Sequence, residues 1–404
     1  FELRPNTAQP VLLTFRSAED TPEGKYTYRV SVTSTGTQAV TSSQTLDVDV
    51  QVFNFTVPLE PSKLSLWGVL DTSGFGVVGK ENWNTTKFHD FLLDHRVPVS
   101  SLYSGGEEGF PSVDTAELKR LWSRGQRVWE PYNHYGAGRE GARGFNSTHL
   151  EGFITALNHS VAKAMEADWP VENMWLYAFD EPGASQMPGL EQLSRMVKQT
   201  IPGIKIATCG TGQWEYYYGV CDAKAMANGC PSIGDGTGNG TIPLPRGEER
   251  LKYVDLIVPR AWEYSNNWSN PENQKPGQGA DFYNKAREGG KMFGWYVSGI
   301  PVGKAGLNWY VEYPPMRSRL MAGVAAVKQE SDALLYYRID AWTAYEGTGG
   351  IQDVLPTMEV LDFKYCDADC AQDGEGLIIV PSPSGALSTL QFENIRDGLE
   401  DVEW

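Results

Sequence analysis

The stretch MWLYAFDEPG, residues 174–183, is typical of a buried β-strand that ends at a pair of acidic residues. Pro182 and Gly183 stop the strand directly after that pair. Similar short apolar runs occur on both sides, and most are separated by amphipathic helical stretches such as 114–124, 147–167 and 315–329. The predicted strands are 64–70, 97–103, 127–133, 174–180, 204–210, 255–262, 291–297 and 333–339.

This alternation predicts an α/β fold, a (β/α)8 TIM barrel, because eight strands with seven crossovers are the number needed to close a parallel sheet. A strand at 376–381 and a helix from about 388 complete the predicted barrel domain, residues 61–404. An open, doubly wound sheet is the alternative, although such sheets usually have about six strands.

Residues 1–60 have a different pattern. The segments GKYTYRVSVTS (24–34) and TLDVDVQVFNFTVP (45–58) alternate with period two, and a turn-rich link joins them. They predict a small, incomplete β-sandwich that ends near Pro58 and Pro61.

The chain is acidic, with a formal net charge of −17 and a pI near 4.8. Because this charge repels a phosphate backbone, nucleic-acid binding is excluded. No window approaches the roughly 20 apolar residues of a membrane span. No signal peptide is visible, but the chain starts abruptly at Phe1, so we expect that a leader was removed or left out.

Asn-X-Ser/Thr sequons predict a secreted or cell-surface glycoprotein of the eukaryotic secretory pathway. They lie at Asn54, Asn84, Asn146, Asn158, Asn239 and Asn267. The cysteines also favour a secreted protein, because Cys221–Cys230 and Cys366–Cys370 have the spacing of local disulfides. Cys209 is left over in a predicted strand. The spacing of Cys366 and Cys370 does not indicate zinc, since no second ligand pair is near, and no metal or cofactor is expected.

Carboxylates and aromatic side chains follow the predicted strands, at the barrel end where such enzymes carry their chemistry. This mixture is what glycoside cleavage requires, namely an acid for the leaving oxygen, a negative group for the transition state, and rings that hold the sugar. The candidates are Glu130, Asp180, Glu181, Trp262, Tyr264, Trp295, Tyr296, Asp340 and Trp342. For Asp180 the structural alternative is a helix N-cap.

The seventh strand, KMFGWYVSG, contains no carboxylate that could act as a nucleophile. Asp180 is then the expected partner of Glu181, as in substrate-assisted hydrolysis, where the acetamido oxygen of the substrate attacks C1. Glu181 would be the acid and base, and Asp180 would orient the acetamido group. Neighbours on a strand point to opposite faces, so the strand must end or twist at Asp180. A protein nucleophile such as Glu263 or Glu130 is the alternative.

The chain resembles glycoside hydrolase family 123, the β-N-acetylgalactosaminidases, over nearly its whole length. The motifs are FNFTVPLEPSKLSLWG, YAFDEP, MFGWYVSGIP, LNWYVEYPPMRSRLMAGVAA, DALLYYRIDAW and GEGLIIVPSPSGALSTLQFENIRDGLEDVEW. The segment LYYRIDAW departs from the family pattern at Arg338 and Asp340, which leaves the sugar open. The resemblance also implies that the chain is a portion of a longer protein.

This resemblance implies a retaining hydrolase without a metal, which removes β-linked N-acetylhexosamine, with N-acetylgalactosamine as the expected sugar. Carried over residue by residue, it makes Glu181 the acid and base and Asp180 the stabiliser of the acetamido group, and it gives Arg319 a structural role. The expected partner is a glycan. The alternative from another class is a non-catalytic extracellular glycoprotein that uses the barrel as a glycan-binding or structural scaffold.

Overall fold

The computed structural model describes most of the predicted strands and helices. The described residues are 13–18, 20–35, 41–61, 65–68, 84–99, 113–132, 147–179, 181–182, 187–210, 251–259, 261, 280–297, 309, 313–336, 339, 378–382 and 385–404. The chain divides into two compact units, Phe1–Pro58 and Leu59–Trp404.

In the first unit, β1 (Gly24–Thr35) and β2 (Thr41–Val52) form an antiparallel pair. One face is polar, where Arg29 donates to Asp47 at 2.8 Å and Thr27 donates to Asp49 at 2.7 Å. β1 extends one residue beyond its predicted end, whereas β2 begins four residues before its predicted start, within the segment expected to be a turn, and ends at Val52 instead of Pro58.

The second unit is a mixed α/β structure around a parallel sheet that curls into a half-barrel. Its described strands, in chain order, are β3 (Ser65–Gly68), β4 (Trp175–Phe179), β5 (Lys205–Cys209), β6 (Leu256–Val258), β7 (Met292–Val297) and β8 (Ala333–Tyr336). Their order in the sheet is β3-β8-β7-β6-β5-β4, so the first and last of these strands are neighbours. The α/β class and the parallel sheet are therefore confirmed.

Two of the predicted strands differ in the structure. Within 127–133, the described part forms a single parallel bridge, between Trp129 and Met174 beside β4. At the start of the predicted strand 97–103, the backbone of Val99 bonds to a side chain. Its N–H donates to Gln126 Oε1 at 2.9 Å, and its carbonyl oxygen accepts from Gln126 Nε2 at 3.1 Å. Residues 100–103 lie outside the described part.

Helices pack on one side of the sheet. They are α1 (Thr85–Asp94), α2 (Thr115–Ser123), α3 (Ser147–Met165), α4 (Met187–Thr200) and α5 (Ala280–Glu288), with a 3-10 turn at Val171–Asn173. The start of α2 is set by Asp114, whose Oδ1 accepts from Ala116 N at 2.9 Å and from Glu117 N at 3.1 Å.

The predicted helix 315–329 consists of α6 (Pro315–Leu320), a π-helical stretch (Met321–Ala325) and α7 (Ala326–Lys328). After it come the hairpin of β9 (Ile379–Ser382) and β10 (Gly385–Ser388) and the last helix, α8 (Leu390–Asp401). Arg319 binds both carboxylate oxygens of Asp401, at 2.7 and 2.8 Å, which is the structural role expected of it.

Candidate active site

The two faces of the parallel sheet carry different layers of side chains. The layer toward the helices includes Met174, Leu176, Ile206, Phe293, Trp295 and Leu334. The opposite layer contains no residue of the described helices, and consists of Val128, Trp175, Tyr177, Ala207, Cys209, Leu256, Val258, Tyr296, Ala333 and Leu335, with Met292 packed against it. We call this second set the inner layer. It faces the concave side of the curled sheet.

A bulge interrupts β4 just before the predicted acidic pair. Tyr177 pairs with Ala207, but Phe179 pairs with Thr208, so one extra residue lies on β4. Tyr177 consequently belongs to the inner layer while Phe179 packs toward the helices, although residues two apart in a regular strand share a face. The strand therefore changes its alternation and ends at Phe179.

Glu181 follows this bulge with a backbone φ of 43°, in the left-handed region. Its N–H donates to Cys209 Sγ at 3.4 Å, and its Oε1 accepts a hydrogen bond from the hydroxyl of Tyr296. Both contacts are with the inner layer, and the residue itself is exposed. The carboxylate of Glu181 thus lies at the carboxyl end of the strands, beside the inner layer.

Gly210, which directly follows the neighbouring strand β5, leaves space for the backbone of Glu181. It has a φ of 93°, and a Cβ atom at this position would lie 2.9 Å from Glu181 Cα. A side chain would therefore collide with backbone rather than with a movable group. Gly210 was not among the residues predicted from the sequence, although a glycine directly after a predicted strand is a signal of such a position.

Tyr177 and Cys209 form the floor beneath Glu181. The Tyr177 hydroxyl and Cys209 Sγ are hydrogen-bonded, and both residues are buried. Within the described part of the chain, Cys209 is a reduced cysteine in β5, as expected. Neither residue was selected as part of the site from the sequence, because their role depends on the pairing of β4 with β5.

The structure separates the two aromatic residues predicted on β7. Tyr296 reaches Glu181, whereas Trp295 faces the helices, is 2% exposed, and has its ring centroid 6.3 Å from that of Trp309. The alternation of a strand explains this, since neighbours point to opposite faces. Trp295 is not brought to the candidate site.

Glu130 is the other described candidate, and it is 1% exposed. It follows the bridge at Trp129, and strand alternation places its side chain on the same side as Val128 of the inner layer. Five further candidates, Asp180, Trp262, Tyr264, Asp340 and Trp342, lie outside the described residues, as do Glu263 and the four cysteines predicted to form disulfides.

The described residues contain no group of three or more His, Cys, Asp or Glu side chains arranged to hold a metal ion. None of the described helices is long and apolar enough to cross a membrane.

Comparison with known proteins gives one family match. Residues 252–404 match the family described as glycoside hydrolase 123, catalytic domain. The matched part includes β6, β7 with Tyr296, β8 and α8, whereas Glu181 precedes it. No curated protein matches the chain. The match confirms the predicted resemblance to this family and supports a glycoside hydrolase, which implies a glycan substrate.

Proposed function

We propose that this chain is a retaining glycoside hydrolase that removes β-linked N-acetylhexosamine by substrate-assisted catalysis, with N-acetylgalactosamine as the expected sugar. The family match supports the reaction class. The observation that carries the proposal is the position of Glu181, an exposed carboxylate at the carboxyl end of a parallel strand, hydrogen-bonded by a phenol of the inner layer.

In this mechanism Glu181 donates its proton to the glycosidic oxygen while the acetamido carbonyl oxygen of the substrate attacks C1. The C1–O bond to the leaving group breaks, and a cyclic oxazolinium forms within the sugar. Asp180 accepts a hydrogen bond from the acetamido N–H and offsets the positive charge. Water then attacks C1 while Glu181 takes its proton. The C1–O bond of the oxazolinium ring breaks, which restores the acetamido group, and the anomeric configuration is retained.

The proposal includes a complete (β/α)8 barrel in residues 61–404 and a β-sandwich in residues 1–60. The pairing of β3 with β8 supports closure, because it joins the first predicted barrel strand to the last. The bridge between Trp129 and Met174 extends the sheet at its other edge. The sugar would be held by residues at the strand ends, namely Glu130, Trp262, Tyr264, Asp340 and Trp342.

Hydrolysis of aryl β-N-acetylgalactosaminides and β-N-acetylglucosaminides tests the function. We expect turnover with retained configuration, inhibition by a thiazoline mimic of the intermediate, and a loss of roughly 100-fold or more in Glu181→Gln and Asp180→Asn. Glu172→Gln is the matched control, since this exposed glutamate precedes β4 at the opposite end of the strand. It should retain wild-type activity.

Two results would contradict this mechanism in different ways. A covalent sugar adduct on Glu263 or Glu130 would show a protein nucleophile. An absence of turnover on every β-N-acetylhexosaminide, combined with glycan binding, would favour the scaffold.

The proposal places the protein outside the cell, by way of the eukaryotic secretory pathway. Three of the six sequon asparagines, Asn54, Asn84 and Asn158, are described and exposed, so each is accessible to a glycan. At Asn84 the Oδ1 atom caps α1 by accepting from Lys87 N at 2.9 Å, which leaves the amide nitrogen for the glycan. The disulfides Cys221–Cys230 and Cys366–Cys370 belong to the same proposal.

A further inference from the structure

Tyr296 and Glu181 meet across the concave side of the sheet. Tyr296 lies on β7 and Glu181 follows β4, with β6 and β5 between them in the sheet order. On these two strands the inner layer carries small side chains near the carboxyl ends, among them Ala207, Cys209 and Val258. The phenol can therefore extend over them to the carboxylate of Glu181, 115 positions away in the chain.

The tyrosine is held rigidly where it stands. Tyr296 is 3% exposed, its ring belongs to the inner layer, and its N–H donates to Pro259 O at 2.9 Å. Since both its backbone and its ring are fixed, its hydroxyl is a preorganised donor.

The backbone of Glu181 is also held, but its side chain is exposed. The bulge in β4, the contact with Gly210 and the bond to Cys209 determine where Glu181 Cα lies. None of these three contacts sets the direction of the carboxylate. The hydrogen bond from Tyr296 to Oε1 acts on the carboxylate itself and constrains its direction.

We propose that Tyr296 is a positioning residue, whose hydroxyl holds the carboxyl group of Glu181 in the orientation that delivers the proton to the glycosidic oxygen. This inference rests on the proposed function and replaces the expectation that Tyr296 is a sugar platform. The phenol touches neither the bond that breaks nor the one that forms. It acts by keeping the acid in its reactive orientation.

The test compares leaving groups in the Tyr296→Phe variant. Phenyl β-N-acetylgalactosaminide needs its leaving oxygen protonated, whereas the 2,4-dinitrophenyl substrate leaves readily as an anion. We expect kcat/KM to fall about 10- to 100-fold for the phenyl substrate and less than about threefold for the dinitrophenyl substrate.

Tyr283→Phe is the matched control. It removes the same hydroxyl from a buried tyrosine that packs against Phe293, on the helix side of β7, with ring centroids 5.3 Å apart. Its two kcat/KM values should keep the wild-type ratio. A loss of stability alone would lower the rates on both substrates together, which thermal unfolding of each variant identifies.

An equal loss on both substrates, seen mainly in KM, would overturn the inference and make Tyr296 a sugar contact. In that case wild-type turnover and its dependence on Glu181 would still stand, so the proposed function would survive. Absence of wild-type turnover on both substrates would overturn the function and this inference together.

Discussion

Glu181 and Gly210, at the ends of neighbouring strands, both have left-handed backbone conformations, with φ of 43° and 93°. For a glutamate this conformation is unfavourable by about 1–3 kcal/mol, and such strain persists where the surroundings enforce it. Here the enforcing contacts are the bulge in β4 and the bond from Glu181 N to Cys209. Strain is concentrated at the residue proposed to carry the proton.

Substitution of Gly210 by alanine should displace Glu181. The new Cβ would lie 2.9 Å from Glu181 Cα and 3.2 Å from its Cβ, and these atoms cannot move aside without moving the backbone. We expect kcat/KM on an aryl β-N-acetylgalactosaminide to fall about 100-fold, since small displacements of a catalytic group have effects of that size.

Gly290→Ala is the control that separates the displacement of Glu181 from the effect of backbone strain alone. Gly290 also has a left-handed backbone, with φ of 81°, but its added Cβ would meet nothing within 4 Å. Both variants should lose about 1 kcal/mol or more of stability, measured by denaturant unfolding. Wild-type activity in Gly210→Ala would show that Glu181 does not depend on this contact.

At the scale of elements, α8 lies unusually close to the π-helical stretch that follows α6. A Cβ on Gly398 would be 2.6 Å from Arg319 O, and one on Gly323 would be 2.9 Å from Gly398 O. The two glycines therefore allow backbone to approach backbone, and the pairing of Arg319 with Asp401 lies beside this contact. The π stretch widens the helix where the last helix packs against it.

Gly398→Ala should destabilise the fold by about 1–3 kcal/mol, because the added methyl forces the helices apart. Gly152→Ala in α3 is the control. A Cβ there meets nothing within 4 Å, so this variant should be neutral or gain up to about 1 kcal/mol from the better helix propensity of alanine. Thermal and denaturant unfolding measure both, and equal stabilities would contradict the close packing of α8.

For the whole molecule, the pH dependence of stability is set in part by charges far from the candidate site. Glu191 on α4 is partly buried, and its backbone partners Leu251 and Lys252 precede β6, at the amino end of the strands. Burial raises the pKa of Glu191 to about 7, although bonds from Leu251 and the charge of Lys291 oppose the rise. Because Glu181 lies at the other end of the strands, this shifted carboxyl concerns stability rather than catalysis.

Between about pH 4.5 and 7 the folded protein keeps the proton of Glu191 that the unfolded chain has released. Its contribution to stability is therefore complete below about pH 4.5 and is lost as pH rises through about 7. After a discount for its partial exposure, we expect an effect on the order of 1 kcal/mol.

Glu191→Gln should remove this dependence. The Tm of Glu191→Gln relative to that of wild type should rise from pH 5 to pH 8. Thermal unfolding in buffers of equal ionic strength measures this. Glu172→Gln is the control, because this exposed side chain should leave the wild-type pH dependence unchanged. A constant difference between Glu191→Gln and wild type would show that Glu191 titrates as an ordinary carboxyl.

The sequence by itself determined the local structure of the second unit and the position of Glu181, the proposed acid, relative to the strands. Apolar runs and helical periodicity are local properties, so β4 to β8, α2, α3 and α8 lie where they were predicted. The sequence also put Glu181 directly after a strand, since Pro182 and Gly183 end it.

The tertiary structure decided which side chains meet. The bulge in β4 depends on its pairing with β5, and it directs Tyr177 and Phe179 to different faces. The contact between Tyr296 and Glu181 depends on the curl of the sheet, and the packing of Trp295 against the helices depends on which face of β7 they cover. These relations join residues distant in the chain, whereas sequence periodicity describes neighbours.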